Sequence, residues 1–307
     1  MIYTVTVNPS LDYIMRLKEF SPTAVNRTYE DAILAGGKGI NVSIMLQHLG
    51  HPNTALGFIG GFTGDEIVRQ VRAEGCEERF IRLKEGNSRI NVKLKSESEI
   101  EINAQGPKIS KEEVESLFLQ LDQLKVGDTL ILSGSIPNTL PNTMYKDIMS
   151  RLANRSIRII VDATNDLLLN VLPYKPFLVK PNNHELAAML QRDLHSQNDI
   201  IEGARQLQAQ GAQNVLVSLA GDGAILVDAN GAVHTHDVPQ GTVVNSVGAG
   251  DSMVAGFLAG YLETEGNYKK ALALGIAAGS ASAFTEWLAT REQVESLLEK
   301  ESFHEDH

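Results

Sequence analysis

The sequence predicts an α/β protein: a three-layer α/β/α sandwich around a mostly parallel sheet, with a small second β-sheet standing off it. Three observations point there. Short Val- and Ile-rich runs alternate with helical patterns along the 307 residues, which is the rhythm of parallel β-α-β units. Those runs are continuously apolar, as strands buried on both faces require. Two stretches, Leu11–Ala35 and Ser88–Pro107, instead tend to alternate apolar and polar residues, the mark of half-exposed strands.

The elements follow in order. "IYTVTV" is the first strand, and a helix over Ile40–Leu49 comes after the first interruption. "TALGFIG" leads into a helix over Gly64–Gly75, and "DTLILSGS" into the helical stretch "PNTMYKDIMSRLANR". "IRIIVDA" and "FLVKPN" each precede a helix, and "NVLVSLA" and "GAILVDA" complete the sheet. In "INVKLK", Ile90, Val92 and Leu94 share one face, and Asn91, Lys93 and Lys95 the other. With no linker and no repeat, one domain over residues 1–307 is expected. The two alternating stretches, about 11–35 and 88–107, form its lid.

Bulk properties narrow the function. The formal net charge is −11, which disfavours non-specific binding to nucleic acid or a membrane surface. A local cluster of Lys and Arg can still hold an anionic small molecule, because distant charges are screened. The single cysteine, Cys76, cannot form an internal disulfide, and no signal-peptide pattern stands at Met1, so a cytoplasmic location is expected. The small-residue run Ala271–Phe284 is too short to span a bilayer and reads as a buried helix. No third ligand lies near His234 and His236 to make a metal site.

The densest signal is "NSVGAGDSMVAGF". After Asp251, apolar positions Val254, Phe257, Leu258, Tyr261 and Leu262 recur at helical spacing, so Gly248, Ala249 and Gly250 fall at the helix start. Backbone amides bared there, with the positive end of the helix dipole, make a site for phosphate oxygens. Asp251 is either an ordinary first-turn carboxylate or a base accepting the proton of an attacking hydroxyl. A hydrolase with Ser252 as nucleophile would need a histidine base, and downstream only His304 and His307 remain. A second glycine cluster, "AGGKGINVS", bares another helix start at Gly37, with Lys38 and Asn41 beside it. Asp12, in "NPSLD", falls at the C-terminal end of the first strand, where open parallel sheets bind ligands.

"GGKGIN" and "VNSVGAGDSMVAGFLAG" together resemble the two signatures of the ribokinase/PfkB carbohydrate kinases. "NPSLDY", "GFIGGFTGDEI", "RINVKLK", "SGSIP", "VKPNNHEL" and "VSLAGDGAI" stand in that family's order, so the resemblance covers essentially the whole chain. It is strongest to the bacterial branch that phosphorylates fructose 1-phosphate at C6, with tagatose 6-phosphate as the alternative acceptor. The resemblance implies ATP and Mg2+ as cofactors and a sugar phosphate as the small-molecule partner.

It also implies residue roles. Asp251 would be the base, and the amides of Gly248, Ala249 and Gly250 the anion hole for the transferring phosphoryl group. Asp12, Gly37 and Asn41 would hold sugar hydroxyls, and Lys38 and Arg89 the existing phosphate. Arg27, Asn103 and Ser135 would complete the substrate pocket. Lys180, Asn182 and Glu185 would serve the nucleotide phosphates, with Glu185 reaching Mg2+ through water. Ser218, Gly221 and Gly223 would flank the ATP phosphates and ribose, and Ser282 the adenine. A homodimer formed through the lid is also expected.

Overall fold

A computed structural model describes residues 1–97 and 99–305. Its main sheet runs, from one edge, Val233–His236, Ala224–Val227, Asn214–Ser218, Leu178–Val179, Arg158–Asp162, Thr129–Ser133, Ile2–Thr6, Asn53–Ile59 and Glu77–Glu78. From Asn214–Ser218 to Glu77–Glu78 every neighbouring pair is parallel, and the last two strands at the other edge are antiparallel. Alternation along a strand feeds two cores. Leu130 and Leu132 join one, and Ile131 between them joins the other. Ile159 and Val161 divide from Ile160 in the same way. Asn53–Ile59 is buried at every position, which explains its unbroken apolar reading.

The two glycine clusters both open helices. Lys38–His48 follows Gly37 (φ 115°), and Ala249–Glu263 follows Gly248 (φ 82°). Both dihedrals lie where only glycine is at ease. At Gly37 a side chain would also come within 2.8 Å of the Thr6 methyl. The helix Ala249–Glu263 is clasped by Tyr268–Ala283 through small residues. A methyl group on Gly256 would lie 2.6 Å from the Leu274 carbonyl oxygen. This close approach fixes the height at which Asp251 meets the sheet end.

The second sheet has four strands, in the order Glu30–Gly36, Ser10–Arg16, Arg89–Lys95 and Glu99–Ile102. Arg89–Lys95 pairs in parallel with Ser10–Arg16 and antiparallel with Glu99–Ile102. Its polar face is the covered one: Asn91 and Lys93 are buried, whereas Ile90 is 41% exposed. Among the described residues no helix is long and apolar enough to cross a membrane.

Candidate active site

The second sheet's polar face, the helix starts and the C-terminal ends of the central strands enclose a cavity of about 730 Å³. Asp12, Gly37, Lys38, Asn41, Arg89, Asn103, Ser135, Lys180, Asn182, Glu185, Ser218, Gly248, Gly250 and Asp251 all line it. Residues read from distant stretches of sequence thus meet in one place.

At the centre is Asp251, in the first turn of its helix and 6% exposed. Asn41 donates a hydrogen bond from Nδ2 to Asp251 Oδ2 at 2.8 Å, tying the two helix starts together. Burial, then the negative charge of Asp162, push the Asp251 carboxyl up to about 6, against the pull of Lys38, Asn41 and Lys180. A base must be unprotonated, so kcat/KM should fall as pH drops through about 6, and a pH–rate profile measures this. No side chain caps this helix. Its first-turn amides have no partner inside the helix, and Gly248 and Gly250 face the cavity. Ala249 differs from expectation: its N–H turns back to the Ser246 carbonyl at 3.3 Å, and it does not line the cavity.

Asp162, absent from the residues read out of the sequence, organises the floor. It is fully buried at the end of its strand. Oδ1 accepts from Lys38 Nζ at 3.2 Å and lies 3.5 Å from Lys180 Nζ. Two ammonium groups hold its carboxyl below the ordinary range despite burial, and its charge raises Lys38 in turn. A methyl on Gly250 would lie 3.3 Å from Lys180 Nζ. Both lysines therefore stand beside the anion hole, and the charges felt by Lys38 are those of Asp162, Asp251 and Glu185. Lys38, expected at the substrate's existing phosphate, has its ammonium on the Asp162 side of the cavity.

At the lid end, Asp12 is held by three neighbours. Ser10 Oγ and Asn91 Nδ2 donate to Oδ1 at 2.7 and 2.9 Å, and Lys93 Nζ pairs with Oδ2 at 2.9 Å. Arg89 donates from Nε to the Asn8 carbonyl at 3.1 Å and from Nη1 to the Ala104 carbonyl at 3.3 Å. Among the described residues no carboxylate is within ion-pair distance of it, though it feels the charge of Asp12. Asn91 and Lys93 were missed as site residues, because a period of two shows which residues share a face but not which face turns inward.

On the opposite side, Asn182 and Glu185 form a reciprocal cap. Asn182 Oδ1 accepts from the Glu185 N–H at 2.7 Å, and Glu185 Oε2 from the Asn182 N–H at 2.8 Å. The cap uses one oxygen of Glu185, and the side chain still borders the cavity. Four expected residues lie elsewhere. Ser282 is fully buried between helices, bonded to Ser252 Oγ at 2.8 Å and accepting the Ala289 N–H at 3.1 Å, and does not line the cavity. Ser252 is equally buried, which removes it as a hydrolytic nucleophile. Gly221 lies in the short turn Ala220–Asp222 and Gly223 caps its end, and neither lines the cavity. A side chain at Gly223 would strike the His236 carbonyl at 2.0 Å, so that glycine serves strand packing. Arg27 is exposed on the connection between two lid strands, outside the cavity.

A helix-start anion hole, a buried carboxylate beside it and a cationic rim under a lid define a phosphotransferase acting on a small anionic alcohol. The chain belongs to the pfkB family of carbohydrate kinases, whose domain matches residues 6–290. It is 46% identical to 1-phosphofructokinase of Bacillus subtilis, covering 97% of both chains. It is 38% identical to a D-tagatose-1-phosphate kinase of Bacillus licheniformis, covering 94% of both. Among solved structures, phosphofructokinase-2 of Escherichia coli in complex with substrates and products superposes with a TM-score of 0.93 at 29% identity, covering 98% of this chain and 99% of that one. The same enzyme in a tetrameric inhibited form gives 0.90 at 29%, with the same coverage.

Proposed function

We propose that the protein transfers the γ-phosphoryl group of ATP to the C6 hydroxyl of fructose 1-phosphate in the cytosol, giving fructose 1,6-bisphosphate and ADP. The observation that carries this reading is the shared cavity: Asp251 and the amides of Gly248 and Gly250 at one end, and Arg89 and Lys93 at the other. The second end holds the phosphate already on C1, and the first receives C6.

The steps follow from the chain's own groups. Arg89 and Lys93 hold the C1 phosphate, and Asp12, Gly37 and Asn41 orient the sugar hydroxyls, with Asn103 and Ser135 at the pocket edge. Asp251 accepts the C6 hydroxyl proton as the new O–P bond forms and the bond to the ADP oxygen breaks. Amides at the helix start, with Lys38 and Lys180, stabilise the charge on the moving phosphoryl group. Lid closure excludes water, which would otherwise compete as acceptor. Asn182, Glu185 and Ser218 border the nucleotide phosphates. Magnesium fits this donor set. Such an ion keeps most of its waters and takes one or two carboxylates plus phosphates, and Glu185 has an oxygen outside its cap. When bound, the ion neutralises phosphate charge.

Arg89→Ala should raise the KM for fructose 1-phosphate roughly 10–150-fold, the equivalent of about 1.5–3 kcal/mol for a charge-assisted hydrogen bond. Its kcat should change little. Steady-state kinetics checks both, and an unchanged KM removes Arg89 from the phosphate site. The relatives favour tagatose 1-phosphate as the second acceptor, a C4 epimer of fructose 1-phosphate with its phosphate also on C1. The ratio of kcat/KM for the two ketose phosphates decides between them.

A homodimer through the lid also belongs to this reading. The lid's outer face carries Ile33, Ile90 and Ile102, which are 48%, 41% and 58% exposed. An apolar face of this kind invites a second copy. Ile33→Asp with Ile102→Lys should shift the sedimentation coefficient from dimer to monomer. A wild-type chain that already sediments as a monomer at assay concentration contradicts the pairing.

A further inference from the structure

The second sheet also touches the body at its far end, outside the cavity lining. Lys95, the last residue of its strand, donates from Nζ to Asn245 Oδ1 at 2.8 Å. Arg16, its partner in register on the neighbouring strand, forms an ion pair with the Glu286 carboxylate. Asn245 is 4% exposed and joins three elements. Its Oδ1 also accepts the Val247 N–H at 3.2 Å, and its Nδ2 donates to the Glu286 carbonyl at 2.9 Å. Its own N–H bonds to the Ala283 carbonyl at the end of the long small-residue helix, at 3.1 Å.

Val247 immediately precedes Gly248, and both line the cavity, whereas Lys95 and Asn245 do not. A single amide oxygen therefore receives one hydrogen bond from the lid and one from the turn that shapes the anion hole. We propose that Lys95 and Asn245 are positioning residues that couple lid closure to assembly of the anion hole. This rests on the phosphotransfer reading of the site.

The physical logic is preorganisation. A charge-assisted donor fixes the Asn245 side chain more firmly than a neutral one. With Lys95 seated, the Asn245 oxygen is locked toward Val247, and the left-handed Gly248 presents the first-turn amides to the phosphoryl group. When the lid lifts, the ammonium leaves and the amide loses its stronger partner. Anion stabilisation then peaks when water is excluded, which limits transfer to water while the site is open.

The test is steady-state kinetics with ATP and fructose 1-phosphate on the wild type, Lys95→Met, Lys95→Arg, Asn245→Ala and the Lys95→Met/Asn245→Ala double variant. Wild-type turnover first establishes the phosphotransfer reading on its own, so failure of that reading is seen separately. Lys95→Met and Asn245→Ala should each lower kcat by 10–100-fold, with the KM of both substrates within about twofold, because neither residue touches them. The double variant should be no worse than the worse single, since one junction is broken twice. Lys95→Arg, which keeps a cationic donor, should retain most of the activity. An unchanged kcat in Lys95→Met overturns the proposal. So does a double variant whose loss is the product of the two singles, or a loss confined to the KM for the sugar phosphate. Lys95 is half-buried at a strand end and its methionine variant keeps the stem, so this variant decides the matter even if Asn245→Ala does not fold.

Discussion

Asp251→Asn will lower kcat by on the order of 10²–10⁴-fold, the usual contribution of a general base, while the Kd for nucleotide changes little. Asparagine is nearly the same size and keeps an oxygen for Asn41 Nδ2, which bonds Asp251 at 2.8 Å, so packing at the helix start survives. What disappears is the ability to take a proton from the attacking alcohol. The acid limb expected near pH 6, set by burial of this carboxyl and the charge of Asp162, should vanish from whatever activity remains. Near-normal turnover would remove Asp251 as the base. Rapid-quench kinetics and nucleotide titration separate chemistry from binding.

Asp162→Asn will have two effects of opposite visibility. The fold will lose stability, because Lys180 is only 4% exposed and keeps no carboxylate partner among the contacts described here. Breaking a buried pair by removing one partner costs about 3–5 kcal/mol, which a urea midpoint reads directly. The second effect is on pH dependence. Asp162 raises the Asp251 carboxyl, and Lys38 and Lys180 lower it. Removing the negative charge leaves the two ammonium groups acting alone on Asp251, so its titration moves down. The acid limb should shift to lower pH without reaching the ordinary aspartate range, since burial is the larger cause. An acid limb that stays in place, or moves up, contradicts the assignment of that limb to Asp251 beside Asp162.

Much of this site was legible in the sequence, for physical reasons that can be named. Glycines ahead of an apolar helical period mark a bared helix start wherever they occur, so Gly37 and Gly248 were readable. Asp12, expected at the C-terminal end of the first strand, lies instead within Ser10–Arg16 of the second sheet and reaches the cavity from there, because the first strand already ends at Thr6. The rule that ligands meet the C-terminal ends of parallel strands, applied to "RIIVD", would have found Asp162, which ends the strand Arg158–Asp162. Ser282 lies outside the cavity, packed between helices, and composition does not say which side of a small-residue helix meets another. Arg27 lies on an exposed connection between strands, and sequence does not say where such a connection points. Lys93 was hidden by the twofold periodicity of a strand, which leaves inward and outward undecided until packing decides it. The sequence does not show that Lys38 pairs with Asp162, because the two are 124 positions apart.

A crystal structure with a non-hydrolysable ATP analogue and fructose 1-phosphate tests the placement of the chemistry most directly. The C6 hydroxyl should lie within hydrogen-bonding distance of the Asp251 carboxylate, with the terminal phosphate on the amides of Gly248 and Gly250 and the C1 phosphate against Arg89. A sugar bound with C6 turned away from Asp251, or a terminal phosphate seated away from that helix start, would contradict it.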